Sequence, residues 1–214
     1  MRRIEDCHLY GIVDLGYVEP EKVPEMTRAL VEGGVDVLQL RAKKLIGGEV
    51  ERLAALMLPI TRQAGVPLVI NDHPEIAARV GSEGVHVGQD DLSVDETRAI
   101  VGPGCFVGKS THSVAQARAA MAEGADYIGF GPLYATGTKP DYRPIGLGDI
   151  REVHGFATKP VFCIGGVNGE RLPEILAAGA RRLVVVSAFL CAPDVRVAVG
   201  QVKEAIEVQL KKMG

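Results

Sequence analysis

Short apolar runs rich in β-branched residues recur every ~20–30 residues along the chain, and the stretches between them carry apolar positions at helical spacing. That alternation predicts βα units feeding a parallel sheet, because a parallel strand returns through a crossover that is usually a helix. Eight strand cores are predicted, at residues 8–13, 35–40, 66–70, 84–87, 106–108, 127–129, 160–164 and 182–186, each followed by a helix candidate. The helix boundaries carry their own chemistry. Ser93 with Glu96 and Ser113 with Gln116 match the capping box, in which each side chain satisfies the other's orphan amide, and Asn168 suits an N-cap. Glycines at Gly33-Gly34, Gly65, Gly124 and Gly179 stand just before the next strand, where a helix ends in a left-handed residue.

Eight units in 214 residues is what closure of a (β/α)8 TIM barrel requires. A doubly wound open sheet is the structural alternative, but no Gly-x-Gly-x-x-Gly turn follows the first strand. No Pro-rich linker, charge block or low-complexity segment breaks the rhythm, so residues 1–214 are expected to form a single TIM-barrel domain.

Composition narrows the function classes. The chain is 47% hydrophobic and 24% charged, the balance of a globular protein with one core. A formal charge of −3 argues against a nucleic-acid partner, whose binders carry a net basic face. The longest apolar segment, residues 183–192, is far shorter than the ~20 residues a membrane helix needs. Met1-Arg2-Arg3-Ile4-Glu5-Asp6 turns acidic before any apolar run, unlike a secretory signal. The four cysteines form no Cys-x-x-Cys pair, which fits a reducing, cytoplasmic setting.

In a barrel the residues ending each strand surround the active site, and here they are polar. Gln39-Leu40-Arg41-Ala42-Lys43 alternates so that Gln39, Arg41 and Lys43 share a side over the mouth, and two cations there suggest an anionic ligand. The third strand ends in Asn71-Asp72 and the fourth in Gly88-Gln89-Asp90-Asp91. Asp72 and Asp91 either share one Mg²⁺, which takes one or two protein carboxylates and leaves its other positions to water and phosphate, or cap the following helices. Ser110-Thr111-His112-Ser113 adds hydroxyls and an imidazole, although a lone histidine near a helix start is more often packed or solvated than catalytic. The longest loop, residues 131–144, has the length of a lid, and its Thr136, Gly137, Thr138 and Lys139 suit phosphate oxygens. Gly165-Gly166 and Ser187 end the seventh and eighth strands, where phosphate-binding barrels often hold a phosphate. Two anion sites emerge, one with a metal and one without.

These stretches together resemble the thiamine phosphate synthase family and its thiazole tautomerase relatives. The likeness runs from about Leu9-Tyr10 to Ser187-Ala188. It is carried by Gln39-Leu40-Arg41-Ala42-Lys43, Ile70-Asn71-Asp72, Gly84-Val85-His86-Val87-Gly88-Gln89-Asp90-Asp91, Ser110-Thr111-His112-Ser113, residues 124–132, Thr136-Gly137-Thr138-Lys139 and Ile164-Gly165-Gly166. The resemblance implies that Asp72 and Asp91 hold Mg²⁺. It implies that Arg41, Lys43, Asn71, Ser110 and Lys139 bind a diphosphate, with Arg41, Lys43, Ser110 and Lys139 catalytic, and that Gln39 helps hold an aminopyrimidine. Thr136, Thr138, Gly166 and Ser187 would bind a thiazole phosphate. The implied reaction joins hydroxymethylpyrimidine diphosphate to hydroxyethylthiazole phosphate or its carboxylate, releasing diphosphate, on small-molecule substrates alone, with room for a homo-oligomer. The chain departs from the pattern at Val13, Ala42 and His73, where threonine, glutamate and arginine are usual.

Two other functions compete. A thiazole tautomerase would use His112 for proton transfer, since imidazole exchanges protons at neutral pH, but it has no need of Asp72, Asp91, Arg41, Lys43 and Lys139 together. A non-catalytic barrel binding a thiazole or thiamine phosphate is the third reading, because fold alone does not establish catalysis.

Overall fold

The computed structural model describes residues 1–136 and 143–213. Its strands are β1 (Leu9–Asp14), β2 (Val37–Arg41), β3 (Leu68–Asn71), β4 (Gly84–Val87), β5 (Phe106–Thr111), β6 (Tyr127–Phe130), β7 (Val161–Cys163) and β8 (Leu183–Val185). They pair in parallel in chain order and β8 returns to β1, which closes the barrel and excludes the open sheet. Helices α1 (Val23–Gly33), α2 (Gly47–Gln63), α3 (Pro74–Val80), α4 (Val94–Val101), α5 (Val114–Ala122), α6 (Ile150–Phe156), α7 (Leu172–Ala177) and α8 (Ser187–Leu190) follow the strands in turn. A last helix, α9 (Val195–Met213), packs on α1, where Gly33 leaves room for Val199.

All eight strands form, with β2 and β3 starting two residues later than expected. Val35 and Val66 belong to the helix exits, since their amides bond back to Leu30 and Thr61. An apolar helix exit followed by an apolar strand reads as one run in sequence. Strand β5 instead extends three residues further, through Lys109, Ser110 and Thr111. Their polarity disguised a strand whose end forms the barrel mouth. The exit glycines Gly34, Gly65, Gly124 and Gly179 all have positive φ, as expected of left-handed helix ends.

Ser93 and Glu96 make the full reciprocal capping box. The second box is only half made. Ser113 accepts from the Gln116 amide, but the Gln116 side chain accepts instead from the amide of His112, one residue upstream. Asn168 accepts from Arg171 and caps the turn leading into α7 rather than the helix itself.

Apolar residues fill two layers. The larger lies between barrel and helices; the smaller fills the barrel interior, with Tyr10, Val37, Val69, Tyr127, Phe162 and Val184 buried. Tyr10 and Tyr127 each meet Phe162 edge-on, with ring centroids 5.4 and 5.6 Å apart. Gly108 makes this packing feasible, because a Cβ there would lie 2.0 Å from the Tyr127 ring. Cys7, Cys105 and Cys163 are buried free thiols, each pushed up to about 12 by burial, and Cys191 is an exposed free thiol. Among the described residues no helix is long and apolar enough to cross a membrane.

Candidate active site

The C-terminal ends of the strands surround a cleft of about 880 Å³, counting its open mouth. On β2 the two-residue alternation carries Gln39 and Arg41 into it, as expected, whereas Lys43 lies beyond the end of the strand and is not among the residues lining the cleft. Arg41 stands beside Asp14 in the β1–β2 register, and its Nη1 donates to Asp14 Oδ2 at 2.6 Å. Asp14 is almost fully buried, and its other oxygen accepts from the Gly16 amide at 2.9 Å. The carboxylate is thereby fixed and aims the guanidinium. Arg41 lines the cleft, while its Nε is buried and has no hydrogen-bond partner among the described residues.

Behind Gln39 runs a chain of hydrogen bonds across the barrel. Gln39 Nε2 donates to the Tyr10 hydroxyl at 2.8 Å, which lies 3.0 Å from the Tyr127 hydroxyl. That hydroxyl meets His86 Nδ1 at 2.9 Å, and His86 Nε2 meets Ser110 Oγ at 2.9 Å. Burial raises both tyrosines well above the usual phenol range, so each remains a neutral hydroxyl. Each hydroxyl has one proton and two lone pairs, so the chain runs either way. In the direction that starts from Gln39, Tyr10 donates to Tyr127, Tyr127 to His86 Nδ1 and His86 Nε2–H to Ser110, which leaves the Ser110 proton for the cavity.

Asp72 and Asp91 sit above the ends of β3 and β4 and neither caps a helix. Asp72 pairs with Lys43 Nζ at 2.8 Å, and Asp91 accepts from the Gly88 amide at 2.6 Å while Ser93 caps α4. Asp72 has φ +63°, the one positive value of a non-glycine residue among those described. Such a conformation costs ~1–3 kcal/mol and tends to persist where function requires it. Asn71 is buried and lines the cleft. His73 engages Glu75 at 3.3 Å. No group of three or more histidine, cysteine, aspartate or glutamate side chains gathers at metal-binding distance among the described residues.

The remaining arc is built on tight backbone. Gly131, Gly165 and Gly166 line the cleft with Thr136 and Ser187. A Cβ on Gly131 would fall 2.1 Å from the Ile164 carbonyl oxygen, and one on Gly165 2.5 Å from Pro132 Cα. His112 also lines the cleft, with Nδ1 at 2.5 Å from the Gly131 carbonyl oxygen, which assigns the Nδ1 proton. Thr138 and Lys139 lie outside the described residues.

The cleft thus gathers Gln39, Arg41, Asn71, Ser110, Thr136, Gly166 and Ser187 of the expected set. It also contains Tyr10, His86 and Tyr127, which strand-end reasoning missed. The alternation of β4 would have revealed His86, the inward residue between two outward valines.

A closed parallel barrel with a polar mouth at the strand ends places the chain among the (β/α)8-barrel enzymes. The family described as thiamine monophosphate synthase matches residues 9–189. A thiamine-phosphate synthase of Chloroflexus aurantiacus is 37% identical over 210 residues, spanning 98% of this chain and 97% of that protein. One from Mycobacterium sp. (strain KMS) is 45% identical over 192 residues, 85% of each chain. A solved structure of thiamine phosphate pyrophosphorylase from Pyrococcus furiosus superimposes with a TM-score of 0.88 at 30% identity, covering 96% of this chain and 98% of that one. The chain belongs to the thiamine monophosphate synthase family. It is a transferase with thiamine phosphate synthase function, which sets aside the non-catalytic reading.

Proposed function

We propose that the chain joins hydroxymethylpyrimidine diphosphate to hydroxyethylthiazole phosphate, with the diphosphate on the β2–β5 arc of the cleft and the monophosphate on the β6–β8 arc. One observation carries this assignment: Arg41, its guanidinium held by Asp14, lines the cleft together with Asn71 and Ser110. A guanidinium offers an anion several charge-assisted hydrogen bonds in one plane, so an anion is the ligand this wall suits best.

On this reading the pyrimidine C–O bond breaks with its electron pair leaving on the diphosphate, and the thiazole nitrogen lone pair forms the new C–N bond to the methylene carbon. No group of the protein needs to form a covalent bond. Arg41, Lys43 and Lys139 stabilise negative charge as it develops on the leaving group. Ser110 donates from the end of the His86 chain, while Gln39 helps hold the aminopyrimidine. Thr136, Thr138, Gly166 and Ser187 hold the thiazole phosphate and orient its nitrogen.

The donor set near the diphosphate arc fits Mg²⁺. Asp72 and Asp91 offer hard carboxylate oxygens, Asp72 is held in a strained conformation, and a third protein carboxylate is not needed when substrate phosphate supplies other ligands. Asp72 and Asp91 would hold it. The chemistry a bound Mg²⁺ supplies is neutralisation of charge on the departing diphosphate.

The test is to incubate the purified protein with both substrates and Mg²⁺, with EDTA as control, and to follow thiamine phosphate by chromatography. Metal-dependent product is expected. Conversion of the thiazole carboxylate isomer without any thiamine phosphate would replace this reading with a tautomerase using His112.

A further inference from the structure

The loop after β6 and the loop after β7 are joined by a clamp that reaches over from α7. Arg171, at the start of that helix, donates from Nη1 to the Gly166 carbonyl oxygen at 3.1 Å. Its guanidinium carbon lies 4.4 Å from the centre of the Tyr134 ring. The Tyr134 hydroxyl in turn donates to Glu174, one turn along α7. Asn168 fixes the backbone of Arg171 from below, accepting its amide at 2.9 Å. Backbone bonds complete the joint, from Leu133 to Ile164 at 2.8 Å and from Tyr134 to Gly165 at 3.2 Å.

The contact leaves no slack. A Cβ added to Gly166 would lie 2.7 Å from Arg171 Nη1, 2.7 Å from Tyr134 Cβ and 3.5 Å from the Ala135 carbonyl oxygen. Gly166 and Thr136, which line the cleft, are therefore carried by two loops whose separation Arg171 spans.

We infer that Arg171, stacked on Tyr134 and bonded to Gly166, is a positioning residue that sets the aperture of the monophosphate-binding arc and so the affinity for the thiazole substrate. The inference rests on the functional reading above. Arg171 does not line the cleft, so it acts through Gly166 and Thr136 rather than on the substrate. A planar cation suits the task because it stacks on an aromatic face while donating in its plane to a carbonyl.

The experiment is steady-state kinetics of Arg171→Ala, Tyr134→Ala and the double variant, with each substrate varied in turn and the melting temperature recorded. The expected result for each single variant is a rise of about tenfold in KM for thiazole phosphate, with KM for the pyrimidine diphosphate within about twofold of wild type. The double variant should be no worse than either single one, because both remove the same joint. Arg171→Lys, which keeps a cation over the ring and one donor, should recover most of the affinity. An unchanged thiazole KM in Arg171→Ala, or equal rises for both substrates with a lowered melting temperature, would overturn the inference while leaving the functional reading intact. A wild-type protein that makes no thiamine phosphate would sink that reading and the inference with it.

Discussion

Asp14→Asn is the substitution whose consequences follow most directly from the geometry. The carboxylate is 4% exposed and the guanidinium 13%, with 2.6 Å between the paired atoms. Asparagine keeps an oxygen to accept the Gly16 amide but removes the charge opposite Arg41. A hydrogen bond to a charged group contributes about 1.5–3 kcal/mol, and orphaning a fully buried ion costs about 3–5 kcal/mol. The cleft opens to water, so the lower range applies, and about 2 kcal/mol of destabilisation is expected. For a domain of this size that is a fall of about 4–8 °C in Tm. The same change leaves a cation without its internal counter-charge beside the cleft. At an effective dielectric near 20 that cation gains about 1–2 kcal/mol more from an incoming anion. Inorganic diphosphate should therefore inhibit Asp14→Asn about tenfold more tightly than wild type and raise its Tm by more. Turnover should fall nonetheless, because the guanidinium is no longer aimed. Differential scanning fluorimetry with a diphosphate titration, beside kcat, measures all three. Unchanged stability together with unchanged or weaker diphosphate inhibition would refute the reasoning.

Tyr127→Phe keeps the ring in the Gly108 slot but cuts the chain between Tyr10 and His86, so it should cost about 1–3 kcal/mol in urea unfolding and lower kcat with the fold intact. Asp72→Ala or Asp91→Ala should abolish Mg²⁺-dependent turnover, whereas His112→Ala should have a modest effect; the opposite pattern would contradict the synthase mechanism. His154 is depressed to about 4, first by burial and then by Arg181 and Arg182. The unfolded chain binds this proton near pH 6.5 and the native one only near 4, so its contribution to stability is complete above about 6.5 and lost as pH falls towards 4. The loss is on the order of 3 kcal/mol and should shrink in His154→Gln, as read from urea midpoints across that range.

Much of this architecture is legible from residue order because the βα rhythm and the exit glycines report local geometry. The strand ends likewise announced Gln39, Arg41 and Asn71, which line the cleft. Three kinds of feature were hidden. Asp14 reads as a strand-end acid until the β1–β2 register sets it against Arg41, a pairing fixed by how two strands separated by a helix align. Tyr10 and Tyr127 read as ordinary core aromatics, since nothing local shows that their hydroxyls meet in the barrel interior. Arg171 gave no signal at all. Its role depends on two loops from other units converging on one carbonyl.

The interior aromatics have a consequence for how this protein can change. Tyr10 and Tyr127 belong to the packed interior of the barrel and to the floor of the cleft at once. Mutational drift at the floor is therefore screened by folding before it is ever tested on a substrate. Diversification of ligand preference is channelled outwards, to side chains at the mouth such as Thr136 and Ser187, which line the cleft without belonging to the barrel interior.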